Sequence, residues 1–233
     1  MMSTRFEDQI LYEDNHILVV NKLSSQIVHG DKTGDRSLVD EIKDYLRKRY
    51  NKKGNIYCGV VHRLDRPVSG ALVFAKTSKA LARLNKAVHD REIEKKYWAI
   101  TKNPPPAEEG FLLDYLIKDG SKNKSFVTRD KSRGLRAELS YRWIARSNHY
   151  NLLEVDLHTG RHHQIRVQLS NMGTPIKGDL KYGFDRSNKD ASISLHSREL
   201  SFKHPVRNLH LRFIVSVPED SLWEYFQEAY FEL

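Results

Sequence analysis

The sequence predicts an α+β fold with a mixed, largely antiparallel β-sheet and flanking helices. Helical segments are interspersed among strand pairs without a regular strand–helix alternation. Such an alternation would indicate a doubly wound parallel sheet instead. Two pairs of strand-like segments are separated by short turn signals, Glu13-Asp14-Asn15 and Ser147-Asn148, as expected for antiparallel hairpins.

The first half of the chain predicts four strands and two helices. Two short strands are expected in ILYEDNHILVVNK, and two more, NIYCGVV and GALVFAK, on either side of the loop with Asp65. A helix is expected in SLVDEIKDYLRKRY, where Ser37 can be the N-cap because Asp40 follows three residues later. A second helix is expected in TSKALARLNKAVHD, beginning after Thr77 or Ser78, with leucines at helical spacing.

The second half begins with the strand KKYWAIT, in which Tyr97 and Trp98 are expected to point to opposite faces, one inward and one outward. The basic segment GSKNKSFVTRDKSRG predicts an exposed loop or ribbon, and AELSYRWIARSNHYNLLEVDLHTG predicts a hairpin. A short helix is expected in RHHQIRVQLSNMG, with Arg161 in its first turn and Gly173 at its end. The remainder predicts a loop, two strands and an amphipathic C-terminal helix: GDLKYGF, ELSFKHP, LRFIVSV and EDSLWEYFQEAYF.

The composition is that of a globular protein. The 233 residues suit one large domain or two small lobes, and 39% are hydrophobic while 30% are charged. No apolar run approaches the roughly 20 residues of a membrane-spanning helix. The polar N-terminus lacks the apolar core of a secretory signal, so we expect a cytoplasmic protein with no membrane partner. The single cysteine, Cys58, excludes an intramolecular disulfide and is expected to be a buried strand residue.

The charge balance favours a polyanionic partner. Lysine and arginine outnumber aspartate and glutamate by 39 to 30, which gives a formal net charge of +9. Nucleic acid is the natural partner of such a protein. Because many basic proteins bind no polyanion, charge alone does not decide between these interpretations.

Asp65 is a lone carboxylate between arginines, in VHRLDRPVSGALVFAK. One interpretation is a surface aspartate neutralised by Arg63 and Arg66. The other is a carboxylate held ionised in a cleft by a cation and available as a nucleophile. The residues alone leave both interpretations open.

Two further segments have candidate functional residues. In LHTGRHHQIRVQL, a basic start to a helix suits a bound anion. A metal site is a weaker interpretation of His158, His162 and His163, because Gly160 interrupts the helical register and no acidic ligand is near in sequence. In KKYWAI, an aromatic side chain could pack in the core or stack on a base, or the phenol could take part in the chemistry.

Together these segments resemble the signature blocks of the RluA family of RNA pseudouridine synthases. The matching blocks are HRLDRPVSG, KKYWAI and TGRHHQIRVQL…MGTPIKGDLKYG, and ILYEDNHILVVNK and LHSRELSFKHP agree on either side. The resemblance runs from about Ile10 to Pro205 with the blocks in family order.

The resemblance implies a single pseudouridine synthase catalytic domain over residues 1–233, with two fused subdomains and a central basic cleft. It implies an isomerase that converts uridine in RNA to pseudouridine without a cofactor or a metal. Asp65 matches the essential aspartate, Tyr97 the tyrosine against the target base, and Arg166 the basic residue paired with that aspartate. Arg63 matches the arginine that enters the space left by the flipped nucleotide. The other residues of the two central blocks are expected to contact substrate: His62, Leu64, Arg161, His163, Gln164 and Ile165.

The chain departs from the family pattern at Ser24, Val68 and Gln168. It also resembles a short member without an N-terminal S4-type RNA-binding domain. We therefore expect the catalytic domain and its KNKSFVTRDKSRGLR segment to select the substrate.

The partner that the resemblance implies is a structured RNA, a stem-loop of ribosomal RNA or tRNA, bound by a monomer. Two other function classes stay open from the residues: a catalytically idle RNA-binding or RNA-folding factor on the same scaffold, and a metal-dependent hydrolase that uses the histidines.

Overall fold

The computed structural model describes residues 5–30 and 34–231. In these ranges the α-helices are α1 (Leu38–Arg49), α2 (Ser78–His89), α3 (Gln164–Asn171) and α4 (Ser221–Phe231). The strands are β1 (Ile10–Glu13), β2 (Ile17–Lys22), β3 (Gly59–Val60), β4 (Ser69–Ala75), β5 (Glu94–Thr101), β6 (Glu109–Asp119), β7 (Lys124–Thr128), β8 (Leu135–Arg146), β9 (Asn151–Leu157), β10 (Leu195–Lys203) and β11 (His210–Ile214). Short 3₁₀ helices span Phe6–Gln9 and Leu180–Tyr182. The predicted α+β class is confirmed.

The chain divides into two compact units. Unit 1 comprises Met1–Ile93 and Glu199–Val215, and unit 2 comprises Glu94–Arg198 and Ser216–Leu233. The expectation of one catalytic domain over the whole chain stays a prediction.

Unit 1 is built on antiparallel strands. β2 lies between β1 and β4, β3 also pairs with β4, and the last part of β10 pairs with β11. The buried side chains of β2 and β4 pack with Ala80 and Leu84 of α2 and with Leu200 and Phe202 of β10. All seven residues of β4 are buried, so the strand that follows the Asp65 loop is fixed by packing on both faces.

Unit 2 contains five neighbouring antiparallel strands in the order β5-β9-β8-β6-β7, together with α3 and α4. On one face of these strands, Trp98 and Leu152 pack against Trp223 and Phe226 of α4. On the other face, Leu116 and Ala137 pack against Val167 of α3 and Tyr182 of the second 3₁₀ helix. The register Tyr97↔Val155↔Tyr141 places Tyr97 on this α3 face, because paired residues share a face and alternate residues return to it.

Helices α1 and α2 begin where the sequence predicts. Ser37 precedes α1 in an extended conformation, its hydroxyl accepts from Asp40 N–H at 3.3 Å, and Asp40 Oδ2 accepts from Ser37 N–H at 3.1 Å. Thr77 Oγ1 accepts from Ala80 N–H at 3.1 Å at the start of α2. These side chains satisfy N–H groups that have no partner within the helix.

The prediction for α3 is wrong at its start. The helix begins at Gln164, and its N-cap His163 has a left-handed backbone with φ 55°. Arg161 and His162 therefore precede the helix. Because a left-handed residue ends regular helical geometry, Arg161, His162 and His163 lie outside the regular helix, whereas Arg166 lies within it.

Three other expectations from the sequence need correction. The strand expected in NIYCGVV is limited to Gly59–Val60, and Cys58 lies before it, partly exposed. Tyr97 and Trp98 are both buried, and Trp98 packs against Trp223 and Phe226 of α4. Strand β6 has no counterpart in the predicted elements; its exposed positions include the apolar residues Phe111 and Leu113, so hydrophobicity does not alternate along its sequence.

Within the described ranges, no helix is both long and apolar enough to cross a membrane.

Candidate active site

The loop with Asp65 connects β3 and β4 of unit 1. Leu64 is buried and anchors the loop, Asp65 is half-buried, and Arg63 is exposed. The N–H of Val68 donates to the carbonyl of Asp65 at 3.0 Å and closes a turn. The local sequence thus presents the carboxylate at the end of a rigid strand, an arrangement common for catalytic loops.

A buried lysine is hydrogen-bonded to the backbone of this loop. Lys22 is fully buried at the end of β2, and its Nζ donates to the carbonyls of Leu23 at 2.9 Å, Arg66 at 3.2 Å and Val68 at 2.6 Å. An ammonium group has three donors, and here each has an acceptor. The backbone on the C-terminal side of Asp65 is therefore fixed to the core of unit 1.

The charge of Lys22 is governed by burial and by Asp65. Burial lowers the pKa of Lys22 to about 7, and the nearby Asp65 carboxylate opposes this effect. A carboxylate and an ammonium stabilise each other's charged forms when they lie close together. Lys22 is thus a cation of unit 1 that interacts electrostatically with the predicted nucleophile.

Other contacts fasten the loop at its edges. The Arg66 guanidinium pairs with Asp35 at 2.7 Å, and the Arg66 carbonyl accepts from Ser25 N–H at 2.9 Å. His62 Nε2 accepts from Val73 N–H of β4 at 3.4 Å. Ser24 and Val68, where the chain departs from the family pattern, therefore lie in or beside this network and leave the loop well supported.

In unit 2, Arg166 on α3 is buried and makes a two-pronged ion pair. Its Nε lies 2.7 Å from Asp179 Oδ2, and its Nη2 lies 2.8 Å from Asp179 Oδ1. The guanidinium carbon also lies 5.1 Å from the centroid of the Tyr182 ring. Bidentate pairing and ring stacking both restrict the orientation of an arginine.

Tyr182 connects Arg166 to the loop before α3. Its hydroxyl lies 2.9 Å from His163 Nδ1 and accepts from Ser125 N–H at 2.8 Å. Both His163 and Tyr182 are buried. The phenol therefore links strand β7 to the motif that contains Arg166.

The loop itself is organised by Gln164. Its Oε1 accepts from Thr159 Oγ1 at 2.8 Å and from Arg161 N–H at 3.0 Å, while its Nε2 donates to the Glu138 carbonyl at 3.0 Å. Arg161 donates from Nε to the Arg136 carbonyl at 2.9 Å and is exposed. These bonds fix residues 159–164 against β8, so Gln164 acts within the protein as a scaffold.

The three histidines of this segment have separate partners. His158 contacts Ser140 Oγ at 2.9 Å, His162 contacts Ser125 Oγ at 2.9 Å, and His163 contacts Tyr182. Among the residues that the structure describes, no group of three or more His, Cys, Asp or Glu side chains could hold a metal ion.

Comparison with known proteins identifies the family. The sequence model of the family described as RNA pseudouridylate synthase matches residues 16–171, well over half of the chain. The chain belongs to this family. The resemblance to the RluA family is confirmed, and the enzyme class is that of the family, an isomerase that acts on uridine in RNA.

Individual relatives agree with this result. The ribosomal large subunit pseudouridine synthase D of Zymomonas mobilis is 32% identical over 222 residues, which cover 91% of this chain and 70% of that protein. The protein of the same name from Xylella fastidiosa is 33% identical over 234 residues, covering 91% and 66%. The chain thus spans about two thirds of the length of these relatives.

A solved structure supports the fold. Human RNA pseudouridylate synthase domain containing 4 matches with a TM-score of 0.79 at 22% identity, over 97% of this chain and 94% of that one. The pseudouridine synthase fold expected from the sequence is therefore confirmed.

The structure distributes the predicted site residues of this pseudouridine synthase over both units. His62, Arg63, Leu64 and Asp65 belong to unit 1, and the remainder belong to unit 2, namely Tyr97, Arg161, His163, Gln164, Ile165 and Arg166. Within unit 2, Tyr97 and Arg166 lie on the same side of the sheet. The chemical roles of these residues, the pairing of Arg166 with Asp65 and the central basic cleft stay predictions.

Three supporting residues were missed by sequence reasoning. Lys22 supports the Asp65 loop, and Asp179 and Tyr182 support Arg166. Asp179 and Tyr182 lie in the GDLKYG segment, which is one of the blocks that resemble the family. Their position in that block could have identified them as candidate site residues. Lys22 ends an apolar strand, where a lysine is ordinarily exposed.

Proposed function

We propose that this protein isomerises one or a few specific uridines to pseudouridine in a stem-loop of large-subunit ribosomal RNA. The names of the two bacterial relatives favour this RNA over tRNA. Asp65 is the essential carboxylate, Tyr97 lies against the target base, and Arg166 supplies the positive charge that pairs with Asp65. A ribosomal RNA substrate also favours the cytoplasm as the location, with the enzyme acting as a monomer.

The observation that carries this proposal is the support of Asp65. A single half-buried carboxylate stands in a loop between two strands, and the fully buried Lys22 fixes the carbonyls that follow it. A catalytic group must be held within a narrow range of geometry, and rigid backbone support provides this.

The chemistry requires one carboxylate and a flipped base. The bond between N1 and the sugar breaks, the detached uracil turns, and a bond forms between C5 and the same sugar carbon. The proton on C5 leaves and N1 regains one, so the reaction is balanced without an oxidant or reductant. Asp65 must be ionised to start this rearrangement, and a cation nearby favours that form.

Access to the base requires it to leave the stem-loop. Flipping costs a few kcal/mol, and a side chain that fills the vacancy offsets part of it. Arg63 is exposed in the Asp65 loop and is suited to this task. The basic character of the chain, with a net charge of +9, favours the approach of RNA.

Release of tritium from C5 tests the proposal. Large-subunit ribosomal RNA and bulk tRNA, each labelled at C5 of uridine in cells lacking the gene, are mixed with purified protein. Because one positioned uridine is flipped into one pocket, release from ribosomal RNA should plateau at a small whole number of sites per molecule. Release should proceed in a chelator without added cofactor.

The two RNA samples separate the alternatives. Release from tRNA alone would overturn the ribosomal assignment and retain the isomerase. A folded protein that binds both RNAs and releases no tritium would contradict the enzymatic proposal and favour an RNA-binding factor on the same scaffold.

A further inference from the structure

Lys95 of unit 2 is a half-buried cation that the predicted site does not use. It lies on strand β5, and its Nζ approaches the backbone of Gly160, in the loop before α3. A Cβ at position 160 would lie 4.0 Å from this nitrogen. The ammonium group is thus next to the start of the motif that contains Arg161 and Arg166.

This ammonium has no protein partner within residues 5–30 and 34–231. It makes no hydrogen bond or ion pair there, and burial alone lowers its pKa. The adjacent Lys96 differs, because its Nζ pairs with Asp156 at 3.1 Å and lies 3.6 Å from Glu154. Of these two neighbouring lysines, Lys96 is therefore paired with carboxylates and Lys95 is not.

Lys95 lies on the same face of the sheet as Tyr97. Successive strand residues point to opposite faces, so Lys95 shares the α3 face with Tyr97 and Lys96 lies on the other. Lys95 and Tyr97 are separated by about 7 Å along the strand. A nucleotide whose base lies against Tyr97 has its neighbouring phosphates within reach of an ammonium group at that separation.

An unpaired, partly desolvated cation costs free energy that a bound anion offsets. The exposed Gly160 has no side chain, so a ligand can approach the backbone and the ammonium group together. RNA supplies such an anion at every nucleotide. We propose that Lys95 Nζ binds a phosphate of the substrate RNA next to the nucleotide that lies against Tyr97. This inference rests on the proposed function and adds a specific phosphate contact to it.

Salt-dependent binding tests this contact. The affinity of wild-type protein, Lys95→Met, Lys95→Gln, Lys95→Arg and Lys96→Met for large-subunit ribosomal RNA from cells lacking the gene is measured between about 50 and about 200 mM salt. Loss of one phosphate contact should reduce the slope of log affinity against log salt by about 0.7 to 0.9 in Lys95→Met and Lys95→Gln. Lys95→Arg and the matched control Lys96→Met should keep the wild-type slope.

Turnover and thermal unfolding complete the experiment. In Lys95→Met, the KM for tritium release should rise while kcat is retained, because a phosphate contact binds the substrate and the transition state equally. Thermal stability should not fall, since no protein contact is lost. A wild-type slope in both Lys95→Met and Lys95→Gln would overturn the inference while the isomerase stands. Absence of tritium release from wild-type protein would overturn the proposed function instead, and the slope would still decide whether Lys95 contacts RNA.

Discussion

Arg166 and Asp179 form a bidentate ion pair in which both side chains are almost completely buried, with 6% and 1% of their surfaces exposed. The pair uses the planar fork of the guanidinium against both carboxylate oxygens, at 2.7 and 2.8 Å. This geometry fixes the plane of Arg166 before any substrate arrives. Asp179 is therefore a positioning residue for the cation that is predicted to pair with Asp65.

Substitution of this ion pair distinguishes its contribution to stability from its contribution to turnover. Arg166→Met leaves the Asp179 carboxylate buried and unpaired, so we expect a loss of about 3 to 5 kcal/mol in the free energy of unfolding and a severe loss of turnover. The double variant Arg166→Met/Asp179→Leu replaces the pair with apolar side chains and should regain most of the stability. Urea unfolding and tritium release measure the two quantities. If the double variant also regains turnover, Arg166 has no chemical role.

Asp65→Asn should abolish turnover and leave RNA binding intact. Asparagine keeps the shape of the side chain and removes the anionic oxygen that the chemistry requires. Loss of a catalytic nucleophile reduces turnover by at least about 1,000-fold in well-studied enzymes. The matched control is Asp35→Asn, which removes the carboxylate paired with Arg66 and leaves Asp65 in place. Tritium release within about tenfold of wild type in Asp65→Asn would exclude Asp65 from this role.

Lys22 should be essential for the stability of unit 1. In Lys22→Met, the carbonyls of Leu23, Arg66 and Val68 lose their common donor. The Arg66 carbonyl keeps the N–H of Ser25, whereas the contact to the Val68 carbonyl is buried, and an unsatisfied buried acceptor costs about 1 to 3 kcal/mol. The variant should therefore unfold at a lower urea concentration and lose turnover. Lys43→Met provides a control for the loss of one lysine.

The contribution of Lys22 should also depend on pH. Its pKa is lowered from 10.5 to about 7 in the folded protein, so between these values the unfolded chain binds more protons at this residue. Stability rises with pH wherever the unfolded state binds more protons. The stability difference between wild type and Lys22→Met should therefore grow as the pH rises from 7 toward 10.5, and a constant difference over that range would contradict the lowered pKa.

The predictable parts of the fold are those with local signals. The start of α1 follows from Ser37 and Asp40, because a capping box is a contact between residues three apart. The turn between β8 and β9 follows from its polar residues for a similar reason. Strand β6 was missed because its exposed face has the apolar residues Phe111 and Leu113, so the hydrophobicity of the sequence does not distinguish the two faces of the strand.

The supports of the candidate site depend on contacts between distant parts of the sequence. Lys22 meets the carbonyl of Val68 across 46 positions, and no local pattern brings a lysine into a core. Arg166 and Asp179 are 13 positions apart, and Asp179 lies beyond the end of α3, so helical spacing does not predict their contact. The types and order of the residues were enough to identify the family. The orientation of Arg166 could be seen only in the folded structure.

The β6–β7 ribbon should contribute to RNA binding through its basic turn. The ribbon is fastened to the loop before α3, since His162 contacts Ser125 Oγ at 2.9 Å and Asn123 Oδ1 at 3.1 Å. RNA bound at the ribbon would therefore lie next to the motif that contains Arg166. Because each lost phosphate contact removes about 0.7 to 0.9 from the salt slope of binding, charge reversal of Lys122, Lys124 and Arg129 together should lower the slope by at most about 2.7.

The control for this variant reverses three exposed lysines on α1 and α2, namely Lys48, Lys79 and Lys86. Both triple variants change the net charge of +9 by the same amount, so a general electrostatic effect would lower their affinities equally. Direct phosphate contacts at the ribbon require a larger fall in slope for the ribbon variant than for the helix variant. Filter binding of large-subunit ribosomal RNA over a salt series measures both, with thermal unfolding as the check on folding. Equal slopes in the two variants would show that the ribbon does not touch RNA, and substrate selection would then belong to other surfaces of the chain.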